Sequence, residues 1–184
     1  MTRAARAAAA LAALAAAAGL TWACRRPPRA ASPALAELRD VLRAGNDDDP
    51  RLDADFNALS PEDKRLFRTE YARLAPERRN QRGTIVYLIG RNALDADDWA
   101  FFKSVVEEPP CRSLADCAQE PRAAGTEAVG DEVTLAYPAL VALRQAAARR
   151  GDARQTAAAR AVLNAGLKSR TRAVARLAER LEHG

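Results

Sequence analysis

The chain has 184 residues, 48% hydrophobic, 5% aromatic and 29% charged, with a formal net charge of +5. Its one histidine, His183, stands next to the end, which argues against a histidine triad or a histidine metal site built in a core. Few aromatics and abundant alanine imply a Leu/Val/Ala core and closely packed helices.

Arg3 and Arg6 precede an almost pure Ala/Leu run from Ala7 to Leu20. Thr21, Trp22, Ala23 and Cys24 follow, then Arg25, Arg26 and two prolines. A basic head, an apolar stretch and a small residue before a cut make the layout of a secretory signal. The end of this stretch resembles the lipobox of bacterial lipoproteins, where a leucine and two small residues precede a cysteine. Ala23 and Cys24 match; Thr21 stands where leucine is usual, and Trp22 is bulky where a small residue is preferred. The resemblance implies a signal peptide over residues 1–24 and acyl chains on Cys24, which would hold the protein on a membrane. Residues 25–33, with Pro27, Pro28 and Pro33, then form a short, stiffened tether. Other readings remain open. Thr21-x-Ala23 suits ordinary signal peptidase and a secreted product. Ala4 to Ala23 has about the 20 residues of an uncleaved span. Arginines without an acid before Glu37 suit an organellar transit peptide.

Next in the chain, Leu35, Leu38, Val41 and Leu42 have helical spacing between Pro33 and Arg43, and Gly45 ends that element. Asp47, Asp48, Asp49 and Pro50 make a turn, with Leu52, Phe56 and Leu59 in a short helix behind it. In Ser60-Pro61-Glu62-Asp63 the serine caps free amides, proline suits the first helical position, and the acids favour the positive end of the helix dipole. This helix should run to Leu74 and bury Leu66, Phe67, Tyr71 and Leu74. Thr84 to Ile89 reads TIVYLI, rich in β-branched residues and bracketed by Gly83 and Gly90. No partner strand is visible and a lone strand is unstable, so Glu77 to Arg91 is read as a buried helix.

Asp95 to Asp98 caps a further helix that buries Trp99, Phe102, Val105 and Val106, and Pro109-Pro110 terminates it. Residues 109–131 form a long polar connection, of a length that carries function or is disordered. Val133 to Arg150 is helical, kinked or starting afresh at Pro138, with Leu140, Val141 and Leu143 apolar. Gly151-Asp152 breaks it. Ala153 to Leu167 follows, then Ser169 to Leu181 with Val174, Leu177 and Leu181 on one face.

This order predicts one all-α domain over residues 34–184, with six to seven helices in successive hairpins. Leu140 to Leu167 is similar to a tetratricopeptide-type hairpin: a leucine-bearing helix, the Gly151-Asp152 turn, then Ala157 and Ala161 facing back. Residues 77–106 are similar to HEAT-type hairpins. Both resemblances imply an α-α superhelix-like bundle.

From Pro33 to Glu132 there are 21 acidic and 14 basic residues, a net −7; from Thr134 to Gly184 there are 3 acidic and 10 basic, a net +7. Either the two halves pack against each other, or the basic end meets an anionic lipid, envelope polymer or acidic protein. Arg172, Arg176 and Arg180, four apart, form a stripe opposite Val174, Leu177 and Leu181. It is either a face for an anionic partner or a solvated helix face. Export argues against nucleic acid as the partner.

Cys111 and Cys117, six apart, are the candidate disulfide in an oxidising compartment. The spacing is not Cys-x-x-Cys, and no histidine or third cysteine stands nearby, so a redox pair or zinc site is not expected. Asp53-x-Asp55-x-Asn57 is similar to the start of a calcium loop. Ala58 and Lys64, however, stand where glycine and glutamate belong. Asp47, Asp48, Asp49, Asp53 and Asp55 are therefore read as a solvated acidic turn. No metal, cofactor, phosphate loop or nucleophile elbow is indicated. The composite expectation is an exported, lipid-anchored helical binding or scaffolding protein of the bacterial envelope. Cys24 would hold it on the membrane, and its partner would be an envelope protein or anionic polymer. The alternative is an envelope hydrolase using carboxylates from Asp47–Asp55 or the long connection.

Overall fold

A computed structural model describes residues 32–113, 116–118 and 131–183. The expected signal with Cys24, the tether up to residue 31, and most of the long connection lie outside the described residues. The protein is all-α. The described residues hold no strand and nine helices. In chain order these are α1 (Pro33–Ala44), α2 (Arg51–Ala54), α3 (Pro61–Arg73), α4 (Arg79–Gly90), α5 (Ala96–Val106), α6 (Asp131–Leu135), α7 (Tyr137–Ala148), α8 (Thr156–Leu167) and α9 (Arg172–His183). Two of them, α2 and α6, span only 4 and 5 residues. None of the described helices is long and apolar enough to cross a membrane.

Local chemistry sets the ends. Gly45 adopts φ 62°, the left-handed conformation that favours glycine, and its N–H donates to Val41 O at 3.2 Å, closing α1. At α3, the Asp63 N–H donates to Ser60 Oγ (3.1 Å) and the Ser60 N–H donates to Asp63 Oδ2 (3.2 Å). Asp95 and Asp98 build the same reciprocal box at α5, at 3.0 and 3.1 Å. The helix after the long connection breaks at Ala136 and restarts at Tyr137, with Pro138 in its first turn.

The TIVYLI run is helical, and Ile85, Val86, Leu88 and Ile89 are all fully buried. An apolar segment buried around its circumference needs neighbours on several sides. The chief one is α7, whose Leu140, Val141, Ala142, Leu143 and Ala146 are buried. Gly83 lies against the Tyr137 ring and Gly90 against the Gln145 side chain, so close that a Cβ at either glycine would come within 2.5 Å. Start meets start and end meets end, so α4 and α7 run in the same direction. Successive helices also pair, α3 with α4, α7 with α8, and α8 with α9. In addition α7 packs on α5 and α9, and this places α7 at the centre.

Several boundaries and faces differ from the sequence reading: the short helix behind the acidic turn closes at Ala54, before Phe56 and Leu59, and the last helix begins at Arg172 rather than Ser169. The element expected from Glu77 begins at Arg79, because Ala75 to Arg78 close a turn in which the Arg78 N–H donates to Ala75 O. The helix expected from Ala153 begins at Thr156, because Asp152 draws the Arg154 N–H and the Gln155 side chain into a turn. On α3, Leu66 is only half-buried and lies outside the core cluster, while Lys64 is buried. Lys64 is turned inward by two aspartates described below.

Candidate binding site

The first turns of α4 carry Arg79 and Arg82, three apart and so on one helix face. Both are buried. Arg82 donates through Nη2 to Glu108 Oε1 at 2.7 Å, and its guanidinium carbon lies 4.0 Å from the centroid of the Tyr71 ring. Tyr71 donates its hydroxyl to the same Glu108 oxygen at 2.9 Å. Burial first, and then the Glu108 charge, push the Tyr71 hydroxyl far above its usual range, so it serves as a fixed donor.

Arg79 is placed differently. Its Nη2 donates to Cys117 Sγ at 3.1 Å rather than to a carboxylate, and its Nε–H, like that of Arg82, has no acceptor. Burial, then the like charge of Arg82, lower its pKa from the ordinary arginine value. Cys117 is bonded to Cys111, with Cα atoms 4.2 Å apart. The expected pairing is therefore present. The closed segment is tied to the turn before α4, because the Cys117 N–H donates to Glu77 Oε1 at 2.8 Å. That bond, and the Glu77 backbone N–H, hold the Glu77 carboxyl below its ordinary 4.5. Ser113 Oγ accepts from the Asp116 N–H at 3.1 Å inside the loop.

A cavity of about 180 Å³ opens beside Cys111, between the end of α5 and the starts of α6, α7 and α9. Arg79, Arg170 and Thr171 line it, together with an apolar wall that includes Val105, Val106 and Val174.

A second ionic cluster is structural. The fully buried Asp98 carboxylate accepts from Lys64 Nζ and from an Arg68 Nη. Lys64 Nζ also donates to Ala93 O and Asp95 Oδ2, each at 2.9 Å. Burial works against the Lys64 charge, but its bonds to Asp98 and Asp95 prevail and raise its pKa. Asp95 is likewise lowered below 3.8: burial works against its charge, but the bonds from Lys64 and from Asp98, with the Lys64 charge, together outweigh it.

Arg172, Arg176 and Arg180 are exposed on α9, with Val174 and Leu177 buried on the opposite side and Leu181 half-buried. None of the three forms an ion pair among the described residues. Glu179 lies on the same face and interrupts the stripe. His183 is exposed in the last turn of α9.

Of the acids read as a solvated turn, Asp47, Asp48, Asp53 and Asp55 are exposed, while Asp49 is buried; Asp49 and Asp53 are held by arginines. Asp49 takes a two-point fork from Arg51, at 3.0 and 2.6 Å, which together with the Arg51 N–H holds its carboxyl below the usual range. Asp53 accepts from Arg91 Nη1 at 2.7 Å. Among the described residues no three His, Cys, Asp or Glu side chains converge to hold a metal.

Sequence reading missed Lys64, Arg79 and Arg82, because charged residues are taken as exterior by periodicity alone. One signal was present: Arg79 and Arg82 occur on the same face as the apolar run that follows them. No protein family, curated protein or solved structure matches the chain.

Proposed function

We propose that the chain is an exported, lipid-anchored helical binding or scaffolding module of the bacterial envelope. The anchor is Cys24. The contact surface for an anionic envelope partner is the arginine face of α9. The observation that carries this reading is the Cys111–Cys117 bond, since structural disulfides persist in oxidising compartments and are rare in the cytosol. With that pair accounted for, Cys24 is the one cysteine left, at the end of a signal-like segment. The exposed Arg172, Arg176 and Arg180, none of them ion-paired among the described residues, support the anionic partner, because they outnumber Glu179 on that face and leave it net positive.

Intact-mass measurement of the membrane-extracted protein tests the reading. The expected product lacks residues 1–23, carries acyl mass on Cys24 and is lighter by two hydrogens for the disulfide. A soluble full-length chain beginning at Met1 with both thiols reduced would overturn it. Vesicle co-sedimentation tests the surface: binding to anionic vesicles, lost with salt, is expected, and the Arg172→Gln/Arg176→Gln/Arg180→Gln variant should bind about 100-fold more weakly.

A further inference from the structure

The cavity beside the disulfide is lined by a buried cation, Arg79, that has no ion-pair partner among the described residues. Arg79 is 7% exposed, and no carboxylate oxygen among the described residues forms an ion pair with it. The acids closest to it are engaged elsewhere. Glu108 Oε1 accepts from Tyr71 and Arg82, and Glu77 Oε1 accepts from the Cys117 N–H. Glu132, on the cavity wall, accepts the Ala173 N–H at 3.2 Å near the start of α9. A guanidinium cannot shed its proton, so a buried one without an anion remains penalised. An Nε–H without an acceptor adds to that penalty.

We propose that this cavity binds a small aliphatic monocarboxylate. Its carboxylate would bond Arg79, with Arg170 supplying a second, exposed cation at the mouth. Its tail would lie on Val105, Val106, Pro138 and Val174. Three features select this class. At about 180 Å³ the cavity lies below the roughly 300–1,000 Å³ of drug-sized sites, so the occupant is small. Its wall is largely apolar, which suits a hydrocarbon tail. Glu108 and Glu132 border it, so a dianion such as phosphate would be repelled where a single negative charge is accepted. The carboxylate can belong to a free acid or to the end of a peptide chain.

The test is titration of the ¹⁵N-labelled full chain with isovalerate, with its neutral counterpart 3-methylbutanol and with inorganic phosphate, following arginine Nε–H resonances. Isovalerate should shift one buried Nε–H with a Kd on the order of 1 mM. The alcohol and phosphate should each bind at least about 10-fold more weakly. Arg79→Met should weaken isovalerate about 10-fold or more, and Ala139→Leu, which fills the cavity while leaving Arg79 in place, should do the same. The second variant keeps the test valid if the first does not fold. N-acetyl-leucine separates the sources: tighter binding than isovalerate assigns a chain end, weaker binding a free acid, and either upholds the site. Equal affinity for isovalerate and the alcohol, no Nε–H shift, or unaltered binding by Ala139→Leu would overturn it.

Discussion

Residues 33–108 and 131–183 fold into one body by different means. In the first region ion pairs recur across the packing: Arg39 with Glu70, Arg51 with Asp49, Lys64 with Asp98, Arg82 with Glu108, Arg91 with Asp53. In the second, side-chain ion pairs are missing among the described residues, and the helices meet through Leu140, Leu143, Ala146, Val162, Leu163 and Ala178. Gly166 lets α8 approach so closely that a Cβ there would meet Leu143 and Ala178 at 2.7 and 2.9 Å. The comparison explains what becomes of the charge asymmetry. Most ion pairs of the first region's acids are made with that region's own arginines and lysines, and no described ion pair crosses to the second. The second region's cations are left either to bond backbone carbonyls, as Arg149 and Arg150 do, or to face solvent.

The strongest way to break this contrast is at Asp98. Replacing it with alanine leaves the buried Lys64 only the more exposed Asp95 as counter-charge and takes the buried partner from Arg68, and should cost about 3–5 kcal/mol in urea unfolding. The pH response should follow the same cluster. The Asp95 carboxyl is lowered in the folded state, so its contribution is whole above 3.8 and is lost as pH falls through the lower folded value. Lys64 is raised, so its contribution is whole below 10.5 and is lost as pH rises through the higher folded value. Stability measured against pH should decline at both extremes, and the alkaline decline should shrink in Lys64→Met.

Next in size is the seam between the regions. Gly83→Ala puts a methyl 2.3 Å from the Tyr137 ring and should cost about 1–3 kcal/mol. Pairing it with Tyr137→Ala should recover part of that loss, and a double-mutant cycle reads the coupling. Gly90→Ala meets only the flexible Gln145 side chain and should cost less. Opening the disulfide by Cys111→Ser/Cys117→Ser should cost about 2 kcal/mol or less, because so short a loop restrains the unfolded chain little. Smallest of all, neutralising Arg172, Arg176 and Arg180 should move stability by no more than about 0.5 kcal/mol. A larger loss would mean that the second region, too, depends on charge.

Much of the local structure was legible in the sequence. Ser60 and Asp95 caps, the Gly45 stop and the Pro109-Pro110 terminator follow from rules within a few residues of each site, and the helical character of TIVYLI from the want of a partner strand elsewhere in the chain. The Cys111–Cys117 pair followed from spacing. What was not legible depends on partners far along the chain. Asp98 reads as an N-terminal helix acid, yet it also holds Lys64, 34 residues earlier. Gly83 and Gly90 read only as brackets of the TIVYLI run, yet they are where α7 approaches. Arg79 gave no sign of facing a cavity, because that cavity forms only where α5, α6, α7 and α9 converge.

The common direction of α4 and α7 has an electrical consequence. Peptide dipoles aligned side by side bring two partial negative ends together at residues 90 and 148, an arrangement that repels itself. Arg149 answers it: the guanidinium reaches across to Gly90 O and Asn92 O at 3.1 and 3.2 Å while its own backbone closes α7. One permanent cation thus neutralises two helix termini at once. Because arginine stays protonated at every pH the fold survives, this clasp persists when the titratable pairs of the other region have let go.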